Sequence, residues 1–132
     1  VSNEFGDAAL TAGSGAPEAY KQAGMAMVIS GLTNIMVGLL WTCMGLSTCV
    51  STYGICFFCP FMGIIPLAVG VYEILEGNKV REGIWSPNIR TTNLVGLVMG
   101  VLSMHMIGVA CEGFVMMQLS DPKVKAFLDT PQ

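Results

Sequence analysis

The chain has 132 residues, 53% hydrophobic and only 11% charged, with a net charge of −3. A water-soluble domain carries about 25% charged residues, so this composition argues against a surface kept wet by its own side chains. There is no basic patch, which argues against nucleic acid as a partner.

Residues 1–24 read as a polar tail rich in small residues, without the pattern of a cleavable signal peptide. Gly13-Ser14-Gly15-Ala16-Pro17 is a flexible break, and Pro17 is placed to open a short helix leading onward. The first apolar run, Met25 to Thr48, contains no formal charge. At 1.5 Å per residue such a helix is long enough for a bilayer core of about 30 Å. Its glycines, Gly24, Gly31, Gly38 and Gly45, recur every seven residues. Seven residues are close to two helical turns, so these glycines form a bare stripe that a second helix can approach closely.

An uncharged turn at Thr48–Tyr53 favours an antiparallel neighbour. The second run, Gly54 to Leu75, repeats the spacing in Gly63, Gly70 and Gly77. Pro66 inside it predicts a kink, and Pro60 marks either an irregularity or a late helix start. A polar loop, Glu76 to Thr92, carries Lys79, Arg81 and Arg90 against Glu76 and Glu82, and its Trp85 and Pro87 suit a headgroup level. The third run, Asn93 to Leu119, predicts one further helix with a small-residue stripe at Gly96, Ser103 and Ala110, and a Gly96-x-x-x-Gly100 contact motif. In residues 120–132, Asp121 as cap and Pro122 at the first helical position predict a short last helix. The expected fold is therefore all-α: a polytopic membrane domain over 25–119 with three transmembrane helices and small-residue heptad seams. Lys21, Lys79, Arg81 and Arg90 would lie on one side and Lys123 and Lys125 on the other. That balance predicts a cytoplasmic N-terminus and an outer C-terminus.

His105 is the only histidine, and Glu112 lies seven residues on. On one continuous helix they share a face that points away from the small-residue stripe, so a partner or an oligomer must cover them. Asn34, at similar depth in the first run, is the natural hydrogen-bonding partner. Cys43, Cys49, Cys56 and Cys59 gather near the first turn. Cys56-Phe57-Phe58-Cys59 has redox spacing, so disulfide or redox chemistry at Cys49, Cys56 and Cys59 stands beside the plainer reading of buried thiols. No catalytic constellation, cofactor motif or metal-ligand set is expected.

Gly31-Leu32-Thr33-Asn34-Ile35-Met36-Val37-Gly38-Leu39-Leu40 in the first run resembles the membrane-spanning four-domains subfamily A, the B-lymphocyte-antigen tetraspans. Pro60-Phe61-Met62-Gly63, then Gly70, then Glu73 to Glu76 extend the resemblance over about half the chain. It implies a helical bundle that oligomerises and modulates larger receptor or channel assemblies, although this chain lacks the fourth span and large outer loop. The preferred expectation is a non-enzymatic subunit embedded in the lipid bilayer that scaffolds a homo-oligomer or other membrane subunits. The alternatives are a proton or cation path using His105 and Glu112, and a membrane thiol redox protein using Cys56 and Cys59.

Overall fold

The computed structural model describes residues 15–51 and 59–130. Five helices follow in order: α1 (Glu18–Ser51), α2 (Cys59–Arg81), α3 (Ile89–Leu102), α4 (Met106–Leu119) and α5 (Pro122–Asp129). No strand occurs among the described residues. α1 is continuous through Tyr20 and Lys21, whose N–H groups both bond the Pro17 carbonyl, so the short leading helix and the first apolar run are one element. It is the one helix among the described residues that is long and apolar enough to cross a membrane by length and composition. Four of its hydroxyls bond their own helix: Thr33, Thr42, Thr48 and Ser51 each donate to the carbonyl four residues back. The turn predicted at Thr48–Tyr53 starts later than expected: Thr48 to Ser51 form the last turn of α1, and Thr52 and Tyr53 lie outside the described residues.

α1 and α2 pack antiparallel, glycine on glycine. A Cβ placed on Gly31 would sit 2.6 Å from the Gly70 carbonyl oxygen, and one on Gly38 would sit 2.7 Å from that of Gly63. A Cβ on Gly24 would meet the backbone of Gly77, Val80 and Arg81. The two seven-residue stripes thus face each other in register, and each leaves no room for a side chain. Pro66 lies buried within α2. α2 outruns its predicted end by six residues, because Lys79 and Arg81 in its last turn suit the helix dipole. It closes where Gly83 adopts φ 79°, with Gly83 N–H on Val80 O and Ile84 N–H on Lys79 O.

The third apolar run is not one helix, which corrects the expectation of a continuous third span over Asn93–Leu119. α3 ends in the same hydrogen-bond pattern as α2: Met104 N–H bonds Val101 O and His105 N–H bonds Gly100 O. Met104 holds the left-handed position at φ 55°, a conformation glycine ordinarily supplies. His105 then caps α4, its Nδ1 accepting from Gly108 N–H at 3.1 Å. α4 runs back along α3, bringing Asn93 to Glu112 and Gly100 to Val109. Each arm of this hairpin is about 20 Å long at 1.5 Å per residue, too short to cross a bilayer core. The predicted third stripe is dispersed with it: Gly96 faces the interior, Ser103 lies in the turn, and Ala110 is exposed.

α4 lies antiparallel to the first half of α1, from Gln118 on Gln22 to His105 on Asn34. α5, opened as predicted by Asp121 accepting from Lys123 N–H, folds onto the same end, where Phe127 meets Tyr20 with ring centroids 5.0 Å apart. The hydrophobic core sits at this end too: Ala16, Tyr20, Ala23, Ala26, Met27, Val80, Ile89, Val115, Leu119 and Val124. The last helix therefore returns to the end from which α1 starts, not to the opposite one.

Candidate functional site

Where the hairpin meets the long pair, four helices contribute polar groups to one interior point. Ser30 and Asn34 come from α1, Glu73 from α2, Asn93 from α3 and Glu112 from α4. Ser30, Asn34, Glu73 and Glu112 are wholly buried, and Asn93 nearly so. Glu73 stands three residues after Gly70 and four before Gly77, on the stripe facing α1, and Asn34 holds the matching position between Gly31 and Gly38. The close approach of the two backbones brings these side chains within reach: Asn34 Nδ2 donates to Glu73 Oε2 at 2.8 Å. Asn93 Nδ2 donates to Glu112 Oε2 and, at 3.1 Å, to the Glu112 carbonyl.

His105 extends the network to the hairpin tip. Because its Nδ1 accepts from Gly108 N–H, the ring hydrogen sits on Nε2, which donates to Asn34 Oδ1 at 2.7 Å. That bond fixes the Asn34 amide so that its NH2 group faces Glu73. The result is a directed chain, His105 to Asn34 to Glu73. Gly108 carries no Cβ because the imidazole occupies that space.

The other carboxyl oxygens are the unusual feature. Glu73 Oε1, Glu112 Oε1 and Ser30 Oγ are buried and have no hydrogen-bond partner among the described residues. Glu73 Oε1 and Glu112 Oε1 converge on Gly96, where a Cβ would collide with the first and lie 2.8 Å from the second. Gly96 is thus the wall that leaves these oxygens space to face each other. The one ion pair among the described residues is Lys79–Glu76 at 2.8 Å, at the helix end, so no Lys or Arg side chain neutralises the two buried carboxyls. A set of oxygens without a counter-charge has the chemistry to take up a proton or a hard cation. No group of three or more His, Cys, Asp or Glu side chains with metal-site geometry occurs among the described residues.

The structure thus brings together Asn34, His105 and Glu112, but not in the predicted arrangement. Glu112 is interior to this single chain, not on an outward face, because the break at 103–105 reverses α4 and turns it inward. Glu73, Asn93 and Ser30 join the site without having been singled out. Cys43, Cys49 and Cys111 are free thiols. Cys56 and the Cys59 side chain lie outside the described residues.

Comparison with known proteins found no matching family model, no similar curated protein and no similar solved structure.

At the helix ends a second polar group closes the loop between α2 and α3. Tyr20 OH donates to Ile84 O at 3.0 Å and accepts from Ser86 N–H at 2.9 Å. Burial, chiefly, pushes the Tyr20 phenol up to about 12. Glu76 accepts from Ser86 Oγ at 2.6 Å and pairs with Lys79. Burial alone would raise its carboxyl, but these two partners together hold it below the usual carboxylate value.

Proposed function

We propose that the chain is a multi-pass membrane subunit that exchanges a proton or a small hard cation at the Glu73–Glu112 pair. On this reading α1 and α2 cross the bilayer as an antiparallel pair, and the α3–α4 hairpin enters from one face and turns back at half depth. Asn34 lies nine residues beyond Met25, about 14 Å along the helix, close to the middle of a core about 30 Å thick. Ionisable groups at such depth are costly and belong to pathways more often than to packing.

The observation that carries the reading is the convergence of two unpartnered carboxyl oxygens and one unpartnered hydroxyl in the interior. Two carboxyls that face each other with no basic side chain beside them are satisfied when a proton or a cation sits between them, a requirement that helix packing alone does not impose. Glu112 is buried within the single chain, so it needs no partner to cover it. Lys21, Lys79, Arg81, Arg90, Lys123 and Lys125, all six basic residues, sit at the end where the core lies. That asymmetry favours a cytoplasmic location for this end, with both the first and last helices opening on it.

The test is flux in reconstituted liposomes under an imposed membrane potential, read by an interior pH dye and by sodium efflux. The wild-type chain should conduct one of the two ions, and Glu73→Gln or Glu112→Gln should return the rate to that of empty liposomes while the variants keep their wild-type helix content. Wild-type flux no faster than empty liposomes, or flux indifferent to both substitutions, would overturn the proposal.

A further inference from the structure

At the mouth of the hairpin, α3, α4 and α5 flank an open groove of about 360 Å³ lined by Arg90, Asn93, Leu94, Met116, Leu119, Ser120 and Lys125. Its lining is graded. Arg90 is the second residue of α3 and Lys125 the fourth of α5, so both cations belong to the outer rim. Leu94 lies one turn further into α3, and Met116 on α4 lines the same groove. No acidic side chain lines the groove, and neither Arg90 nor Lys125 forms an ion pair among the described residues. Both are exposed at their outer ends.

We infer that this groove holds one anionic phospholipid, with its phosphate between Arg90 and Lys125 and an acyl chain along Leu94 and Met116. The inference rests on the membrane placement proposed above, not on the ion chemistry. Charge complementarity selects the head: two cations without partners at one rim attract a phosphate, and arginine meets its oxygens in bidentate geometry. The apolar inner wall selects the tail, since a free phosphate ion or a nucleotide would leave Leu94 and Met116 uncovered. Level matters as well. Trp85 donates from Nε1 to Leu128 O at 3.3 Å, placing an indole beside the same helix α5, as expected at a headgroup plane. Basic pockets between helices on the cytoplasmic side are suited to such heads, and the basic end of this chain is where the groove opens.

The experiment uses the full chain in nanodiscs of phosphatidylcholine alone or of phosphatidylcholine mixed with phosphatidylglycerol. Native mass spectrometry should find phosphatidylglycerol retained above its bulk ratio. Arg90→Gln and Lys125→Gln should each lower that enrichment about fivefold, and the double variant should abolish it. Lys123→Gln, on α5 but not lining the groove, should keep it. Enrichment that survives the double variant, or that Lys123→Gln removes equally, would overturn the site. Stabilisation of phosphatidylcholine nanodiscs by inorganic phosphate to the same extent as by the anionic lipid would overturn it too, since the ligand would then be a free anion. Failure of the chain to enter phosphatidylcholine nanodiscs at all would instead overturn the membrane placement on which the inference stands.

Discussion

Between Glu18 and Asn34, α1 is covered by α2, by α4 and by the folded-back α5; between Ile35 and Ser51 it has α2 as its described neighbour. The first half buries Tyr20, Met27, Ser30 and Asn34, and with its neighbours encloses Glu73 and Glu112. The second half buries little of α1 beyond Gly38 and Gly45, while Met36, Leu40, Met44 and Val50 stand 54–82% exposed. Polar groups follow the same division. Thr42, Thr48 and Ser51 in the second half bond their own helix, whereas Asn34 at the boundary bonds two other helices. One half is thus marked by cross-helix polar contacts, and the other, among the described residues, by the close approach of α1 and α2 at Gly38 and Gly63. The α3–α4 hairpin is what creates the difference: it supplies polar partners over half the length and then turns away.

The largest expected effect comes from breaking what both halves share. Gly31→Ala would press a methyl against the Gly70 carbonyl at 2.6 Å and Ile74 Cγ1 at 2.9 Å, and backbone at that distance cannot yield without separating the helices. A loss of about 2–3 kcal/mol is expected, seen as a fall in unfolding midpoint in detergent. Gly113→Ala supplies the contrast. A Cβ there meets nothing within 4 Å, so the substitution should be neutral or stabilise by about 0.5–1 kcal/mol through helix propensity. Equal effects at the two sites would mean that the glycine register does not hold α1 to α2.

The register itself is legible because glycine stripes seven residues apart have few other uses in an apolar run. The cap at Asp121 is legible for the same kind of reason, a side chain of the right type in the right place. The hairpin is not. Gly83 holds the left-handed position at the end of α2, an end that the apolar run places at Leu75, but the equivalent position at the end of α3 is Met104, which pays a conformational cost of about 1–2 kcal/mol to adopt a left-handed backbone. The next helix is capped by a histidine where Ser, Thr, Asp or Asn would be the usual signal. An uninterrupted apolar run with neither marker reads as one helix, and tertiary contacts, Asn34 on His105 and Glu112 on Asn93, supply what local preference does not. Glu73 is a different case. Its spacing from Gly70 and Gly77 places it on the seam from sequence alone, yet a lone histidine draws the eye to the third run.

A smaller effect should follow from cutting the polar chain at the boundary between the halves. Asn34→Ala leaves Glu73 Oε2 without its donor and His105 Nε2 without its acceptor, both in the interior. A cost of about 1–3 kcal/mol is expected. Because His105 is the cap of α4, the damage should concentrate in the hairpin, with faster hydrogen exchange over 103–109 and little change over 36–51. Exchange rising evenly along α1 would show that the two halves are one cooperative unit.

The smallest effects are set by pH and belong to the covered end alone. Glu76 has a lowered folded value, so its stabilising contribution is complete above the ordinary carboxylate range and is lost as pH falls through that lowered value. Tyr20 has the opposite sign. Its phenol is raised from 10.0 to about 12, so the contribution is complete below pH 10 and disappears as pH climbs through 12. Glu76→Gln should therefore flatten the acid limb of a melting-temperature profile, and Tyr20→Phe the alkaline one. The two tryptophans divide the signal between the regions: Trp85 lies in the α2–α3 connection, bonded to Leu128 O, and Trp41 lies half-exposed in the second half of α1. With Trp41→Phe, the remaining Trp85 should follow both limbs. With Trp85→Phe, Trp41 should report neither until the whole chain unfolds, because no group bonded to Glu76 or Tyr20 reaches it. Coincident titration at both tryptophans would join the two halves into one structural unit and remove the distinction between them.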